Sequence, residues 1–345
     1  MAGRRYDEAV TVLFYADERF AEHDTGPYHP ERPERLVAVR AGLDEYGLAE
    51  AVRWIEPRPA TDAELHLVHP AAFVEGIERF CGSGRVHIDD DTIVCPVSAD
   101  LARLASGAGI DAVERLRAGE ARAAFLPVRP PGHHATATRA MGFCLYNHVA
   151  VAAAHLVASG ERVAIVDIDA HHGNGTQDIF IESPDVLYVS WHQSPMYPGT
   201  GAVTEIGDGD GRWTTLNLPV PAGATGEHYR RGLDEVVAPA VAEHGADWLL
   251  ISAGFDAHRR DPLTDLGLTS GDFADVTAAL CELVPVQRVA VFLEGGYDLE
   301  AISDSSAATV AALVGERLHP EAPSSGGPGA ESVAAALTVR SQRDA

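Results

Sequence analysis

The feature that most constrains this chain is a recurrence of short, apolar, β-branched runs, each followed by polar or Gly-rich residues and then a helical pattern. Val10–Tyr15, Ala123–Val128, Val163–Ile168, Val186–Ser190, Trp248–Ser252 and Val289–Leu293 read as strands. Near-continuous apolarity, without polar alternation, marks strands buried on both faces. Amphipathic helix candidates lie between them, near 98–118, 143–159, 227–244, 270–284 and 299–314. Such alternation predicts an α/β fold on a parallel sheet with helices on both sides. No repeat of fixed period is present, so residues 1–318 read as one domain. The Pro-, Gly- and Ser-rich stretch His319–Ala330 reads as a linker or loose tail, and Glu331–Val339 as one short helix.

Composition narrows the partners. The formal charge is −25, and every basic residue is Arg. So acidic a surface repels phosphate backbones and anionic membranes, which argues against nucleic acid or a membrane as a direct partner. Oligomerisation stays open. Cys81, Cys95, Cys144 and Cys281 are scattered and form no CxxC pair, which fits a reducing compartment and no Cys-rich metal site. The run Thr11–Tyr15 is too short for a signal-peptide core, and no run approaches the ~18–20 apolar residues of a membrane span. The expected location is the cytoplasm.

Open parallel sheets gather ligands at the carboxyl ends of their strands. Four strand ends here carry chemistry: Arg129-Pro-Pro-Gly-His133-His134, Asp167-Ile-Asp169-Ala-His171, Ala253-Gly-Phe-Asp256 and Glu294-Gly-Gly-Tyr297. A strand-end Asp alone is usually a turn or cap residue. Convergence of four such ends is a different matter. Asp169 and His171, two apart on extended chain, face the same side and can reach one cation. With Asp256 they make three protein ligands and leave room for water, as catalytic zinc requires, whereas structural zinc is closed by four. Asp167, one step deeper, suits orienting an imidazole or holding a second cation. His133 and His134, on a loop stiffened by two prolines, suit proton transfer near neutrality. No GxSxG elbow, phosphate loop or HExxH helix competes.

These residues bear a plain likeness to one family. Arg129-Pro-Pro-Gly-His-His-Ala135, Gly142-Phe-Cys-Leu-Tyr-Asn147, Asp167-Ile-Asp-Ala-His-His-Gly-Asn-Gly175, Tyr197-Pro-Gly-Thr-Gly201, Ser252-Ala-Gly-Phe-Asp256 and Glu294-Gly-Gly-Tyr297 resemble the histone deacetylases. His29-Pro-Glu-Arg-Pro-Glu-Arg35 resembles their class II and bacterial amidohydrolase branches, and the match runs from about His23 to about Ala307. The resemblance implies an arginase-like, eight-stranded parallel sheet and hydrolysis of an acylated lysine peptide or small acylated amine. It implies one Zn2+ per chain on Asp169, His171 and Asp256. His133, backed by Asp167, and His134, backed by Asn174, would handle water and the leaving amine, and Tyr297 would donate to the oxyanion. Phe143 and Tyr197 would flank a tunnel, the Gly142 carbonyl would accept the amide N–H, and Asp91 would grip substrate backbone at the rim. Asp167, Asp169, His171, Ser190 and Trp191 match a K+ site. Asn174, where class I members place Asp, favours the class II-like branch, and Tyr297 is the residue of active members. Polyamine-selective relatives carry Glu where this chain has Leu263, which favours acyl-lysine over acetylpolyamine. An arginase-type two-manganese site would need Asp where Gly173 and His258 stand, and a non-catalytic acyl-lysine scaffold would be expected to lose a ligand or Tyr297.

Overall fold

The computed structural model describes residues 11–343; Val10, at the start of the first expected strand, lies outside them. Eight strands form one sheet: β1 (Val12–Tyr15), β2 (Val52–Ile55), β3 (Ala123–Leu126), β4 (Val163–Asp167), β5 (Val186–Gln193), β6 (Thr215–Val220), β7 (Trp248–Ala253) and β8 (Val289–Leu293). Their order is β2-β1-β3-β8-β7-β4-β5-β6, and every pairing is parallel. The expected α/β architecture of eight strands is thus borne out.

Two apolar cores cover the two faces, and the strand period divides the side chains between them. Val12 and Phe14 enter one core while Leu13 and Tyr15 enter the other; Ala164 and Val166 likewise oppose Val163 and Ile165. Helices 34–45, 226–232, 238–244, 270–281, 299–313 and 330–340 cover the first face; helices 71–82, 98–117 and 148–158 cover the second. Among the described residues, no helix is long and apolar enough to cross a membrane.

The structure differs from the sequence expectation where burial is one-sided or local geometry intervenes. The two unanticipated strands, β2 and β6, are the sheet edges. Arg53 and Trp54 of β2 are exposed, and β6 contains Asn217 and Pro219, which an edge tolerates. Helix 34–45 buries Arg35 and Gly42 on its inner face, which blurs its apolar stripe. The helix expected from 143 starts at His148, capped by the Asn147 side chain accepting from Ala150 N at 3.0 Å. Phe143, at φ 69°, instead turns the chain inward.

The stretch expected to be a loose tail is pinned down. Ser324 Oγ donates to Asp272 at 2.5 Å, Thr225 Oγ1 to the Gly326 carbonyl at 2.6 Å, and Gly326 N to Glu227 at 2.6 Å. Small residues here supply backbone donors and sharp turns, and no freedom follows from them. The last helix, Ala330–Arg340, buries Val333 and Ala336 against the β6 side. Glu321 fastens the segment as well, accepting from His258 Nε2 and Arg259 Nη2, each at 2.6 Å. Burial opposes its charge, but His258 and Arg259 outweigh it and hold the carboxyl down at about 2. His258 is itself held below 6.5 by burial, so near neutrality it donates as an uncharged ring and Arg259 supplies the positive charge. A depressed carboxyl stabilises the fold above its unfolded value and loses that contribution as pH falls. Glu321→Gln should therefore lower Tm by about 2 °C at pH 7, the scale of a half-exposed ion pair in a chain this long. Melting curves from pH 7 down to pH 3 should show the gap from wild type closing below about pH 4.5.

Candidate active site

The four central neighbours β3, β8, β7 and β4 end side by side, so their carboxyl-end loops meet. After β4 come Asp169 and His171, and after β7 comes Asp256. Both carboxylates are fully buried. His171 Nδ1 lies 3.2 Å from Asp169 Oδ1 and 2.9 Å from Asp256 Oδ2, and one ligand atom from each of the three residues falls within 4.8 Å of the others. The lone pairs not facing that point are taken by backbone N–H groups: His171 N and Gly295 N on Asp169, and Ala170 N on Asp256, each at 2.8 Å. Donors so placed orient the carboxylates without cancelling their charge. Two buried anions converging with one imidazole fit a small divalent cation, and this is the sole such cluster found among the described residues.

The rival two-metal arrangement does not fit. A Cβ at Gly173 would sit 2.2 Å from Asp167 Oδ2, so no Asp can occupy that position without displacing Asp167. His258 points away, onto Glu321.

The loop after β3 carries the His pair, with ring centroids 4.0 Å apart. Its backbone hangs on the loop after β8: Glu294 Oε2 accepts from Gly132 N at 2.7 Å and His133 N at 3.1 Å. His133 Nδ1 donates to Asp167 Oδ2 at 3.0 Å; the Tyr188 hydroxyl also donates to that oxygen, at 3.2 Å. His134 Nδ1 donates to Asn174 Oδ1 at 2.8 Å. A carboxylate behind one ring and an amide behind the other separate their proton affinities. Burial opposes charge on His133, but Asp167, Asp169 and Glu294 push it up to about 10. Burial, with the charges of His133 and His171, holds His134 well below 6.5.

Tyr297 is buried beside these groups, its hydroxyl pushed well above 10 by burial and then by Asp256. Arg35 grips its loop from below, donating to the Glu294 carbonyl and, at 2.6 Å, to that of Gly296. A cavity of about 440 Å³ leads outward from His134, His171 and Tyr297, past Gly142, Phe143 and Tyr197, to a mouth with Asp90, Asp91, His29 and Leu263. Phe143 meets Tyr297 edge-on at 5.9 Å, and Tyr197 meets His134 edge-on at 5.3 Å. The expected ligand, His-pair, Tyr297 and tunnel residues thus all surround or directly support one cavity. The expected K+ residues lie just behind, where β4 pairs with β5 and Asp167 stands opposite Ser190; Trp191 follows, buried.

Sequence reading missed Asp90 at the mouth, Asp261 beneath Tyr297, and the buried Glu31, which accepts from Arg35 and from Arg129. Glu31 and Arg35 lie within His29-Pro-Glu-Arg-Pro-Glu-Arg35, where only the Glu–x3–Arg spacing hints at a pair.

The histone deacetylase domain family matches residues 29–313. Over 313 residues the chain is 39% identical to a probable deacetylase of Archaeoglobus fulgidus, covering 89% of this chain and 87% of that protein. It is 34% identical over 329 residues to the histone deacetylase-like amidohydrolase of Pseudomonas aeruginosa, covering 89% and 87%. The crystal structure of the HDA15 HD domain matches with a TM-score of 0.89 and 37% identity, over 96% of this chain and 95% of that one. The chain belongs to the histone deacetylase family, a family of deacetylase and amidohydrolase enzymes.

Close approach of backbone to the carboxylates gives a test of the cluster. A Cβ at Gly295 would lie 2.2 Å from Asp256 Oδ2 and 2.7 Å from Asp169 Oδ2, whereas Gly76 has open space around it. Gly295→Ala should stay folded yet bind Zn2+ at least about tenfold more weakly, because both carboxylates of the cluster must shift. Gly76→Ala should bind as wild type. Calorimetric titration of the two metal-free variants reads the difference.

Proposed function

We propose that this chain is a zinc-dependent deacylase that hydrolyses the N-acyl amide of acyl-lysine or a similar small acylated amine. The observation that carries the reading is the buried Asp169–His171–Asp256 cluster, whose His171 lines the same cavity as His134, Phe143, Tyr197 and Tyr297. When bound there, Zn2+ would supply Lewis acidity for the amide carbonyl and make water nucleophilic near neutral pH.

The chain's own residues would do the rest. Phe143 and Tyr197 hold the extended chain of the substrate between their rings, and the Gly142 carbonyl accepts the amide N–H. Asp91 takes a polar group of the substrate at the rim. As water adds to the carbonyl carbon, its proton goes to the neutral His134, whose Nδ1 is already committed to Asn174. Negative charge growing on the carbonyl oxygen takes a hydrogen bond from the Tyr297 hydroxyl. His133, held against Asp167, keeps its positive charge beside that oxygen. When the C–N bond breaks, the imidazolium of His134 returns the proton to the amine nitrogen. Asp167 and Ser190, with main-chain oxygens of Asp169, His171 and Trp191, would hold K+ and stiffen the ligand strand from behind.

Asp90 and Asp91 at the mouth favour a second reading, acetylpolyamine hydrolysis, since a polyamine carries ammonium groups beyond its amide. Selectivity needs a placed counter-charge, and Leu263 offers only apolar contact. Acyl-lysine stays the better fit. On an acetyl-lysine peptide, kcat/KM should exceed that on an acetylated polyamine at least tenfold, and Leu263→Glu should narrow the gap by improving the polyamine. A tenfold preference of the wild type for the polyamine would reverse the assignment.

Tyr297→Phe should keep Zn2+ bound while kcat falls roughly 10²–10³-fold, the usual effect of losing one oxyanion donor. Metal analysis beside steady-state kinetics checks both halves; near-normal turnover would mean another group polarises the carbonyl.

A further inference from the structure

Tyr297 sits on a loop, yet nearly every backbone polar group around it is tied. Arg35 holds the Glu294 and Gly296 carbonyls, and Asp169 holds Gly295 N. The N–H of Tyr297 itself goes elsewhere, to Asp261 Oδ2 at 2.8 Å. The other oxygen of that carboxylate, Oδ1, accepts from Leu263 N at 2.9 Å. Asp261 is buried, 7% exposed, and burial followed by the charge of Asp256 pushes its carboxyl up to about 7. The carboxylate thus accepts from two backbone N–H groups on different loops.

We propose that Asp261 is a positioning residue, a single buried carboxylate that sets the oxyanion donor Tyr297 and the rim residue Leu263 relative to one another. The assignment rests on the function proposed above. One carboxylate spans the loop after β7, which begins with the ligand Asp256, and the loop after β8, which ends in the phenol. A phenol hydroxyl lies far from its own Cα, so a small rotation at the Tyr297 backbone swings it well away from the carbonyl. Misplacement of a catalytic group by about 1 Å can cost ~10²-fold in rate. Asparagine at this site has one acceptor oxygen and sets its NH2 against the second N–H, so one partner is released.

Asp261→Asn and Asp261→Ala test the link, with Arg260→Gln as a control. Arg260 ties the same loop from outside to the N-cap Asp298 at 3.7 Å and to Asp304 in the helix that follows at 3.3 Å, with no hydrogen bond or ion pair to Tyr297 or Leu263. The Asn variant should retain Zn2+ and lose kcat on an acetyl-lysine peptide by about 30–100-fold, with KM within about threefold. The Ala variant should lose more. Arg260→Gln should lower Tm but leave kcat within about threefold. In a Tyr297→Phe background, Asp261→Asn should cost less than about threefold further, because the group it positions is gone. Amide exchange adds a readout independent of activity: the Tyr297 or Leu263 amide should exchange at least about tenfold faster in the Asn variant while Gly295 stays protected. Additive losses in the double variant, unchanged exchange at both amides, or loss of folding in both Asp261 variants would overturn the proposal. A wild type inactive on every acylated amine would instead overturn the proposed function, and the exchange data would still decide whether Asp261 holds the two loops.

Discussion

Two buried carboxylates converging on one imidazole nitrogen are the constraint around which the centre of this molecule is organised. Holding an ion away from water costs several kcal/mol even after relaxation. Asp169 and Asp256 meet that cost partly through backbone N–H donors, each charge-assisted bond contributing about 1.5–3 kcal/mol. Such donors can reach the carboxylates only where the chain passes very close, and Gly254 and Gly295 allow it: a Cβ would sit 1.9 Å from Asp169 Oδ2 at the first and 2.2 Å from Asp256 Oδ2 at the second. What the donors leave over is negative charge aimed at a single point beside His171. A cation at that point would complete the proposed arrangement.

A parallel sheet makes this convergence possible. Its strands all deliver their carboxyl ends to one edge, and β3, β8, β7 and β4 are adjacent in the middle, where both faces are covered. The loops are then locked to one another by buried ions. Glu31 joins Arg129, at the end of β3, to Arg35, which grips the loop after β8, while Glu294 reaches back to Gly132 and His133. The His pair and Tyr297 belong to loops that share these fastenings, so their spacing is set by the network and not by either loop alone. The two imidazoles differ in proton affinity for an equally local reason: a carboxylate lies behind one and a carboxamide behind the other.

How much of this was legible in the chain follows from which contacts are local. Central strands announce themselves because burial on both faces keeps them apolar until their carboxyl ends, where Asp167, Ser190 and Ser252 stand. The edges do not: Arg53 is exposed, Pro219 is admissible at an edge, and the buried Asn217 needs Gln177, 40 residues away, as its partner. Asp169 and His171 were readable because they follow directly on a buried strand and stand two apart, as two ligands of one site would. Asp261 was not, since its meaning lies in a hydrogen bond to Tyr297, 36 residues away. The segment around Glu321 is illegible for the same reason: its Ser and Gly residues look loose until Asp272 and Glu227 supply their partners, as His258 does for Glu321.

The central claim is that a single divalent cation on Asp169, His171 and Asp256 is required for amide hydrolysis. Titrating metal-free protein with Zn2+, while following both heat of binding and hydrolysis of an acetyl-lysine peptide, tests it most directly. Activity should rise from background to its plateau at one equivalent, coincident with the binding isotherm, and Asp256→Ala should show neither. Hydrolysis at full rate by the metal-free chain, or a plateau reached only at two equivalents, would contradict the account.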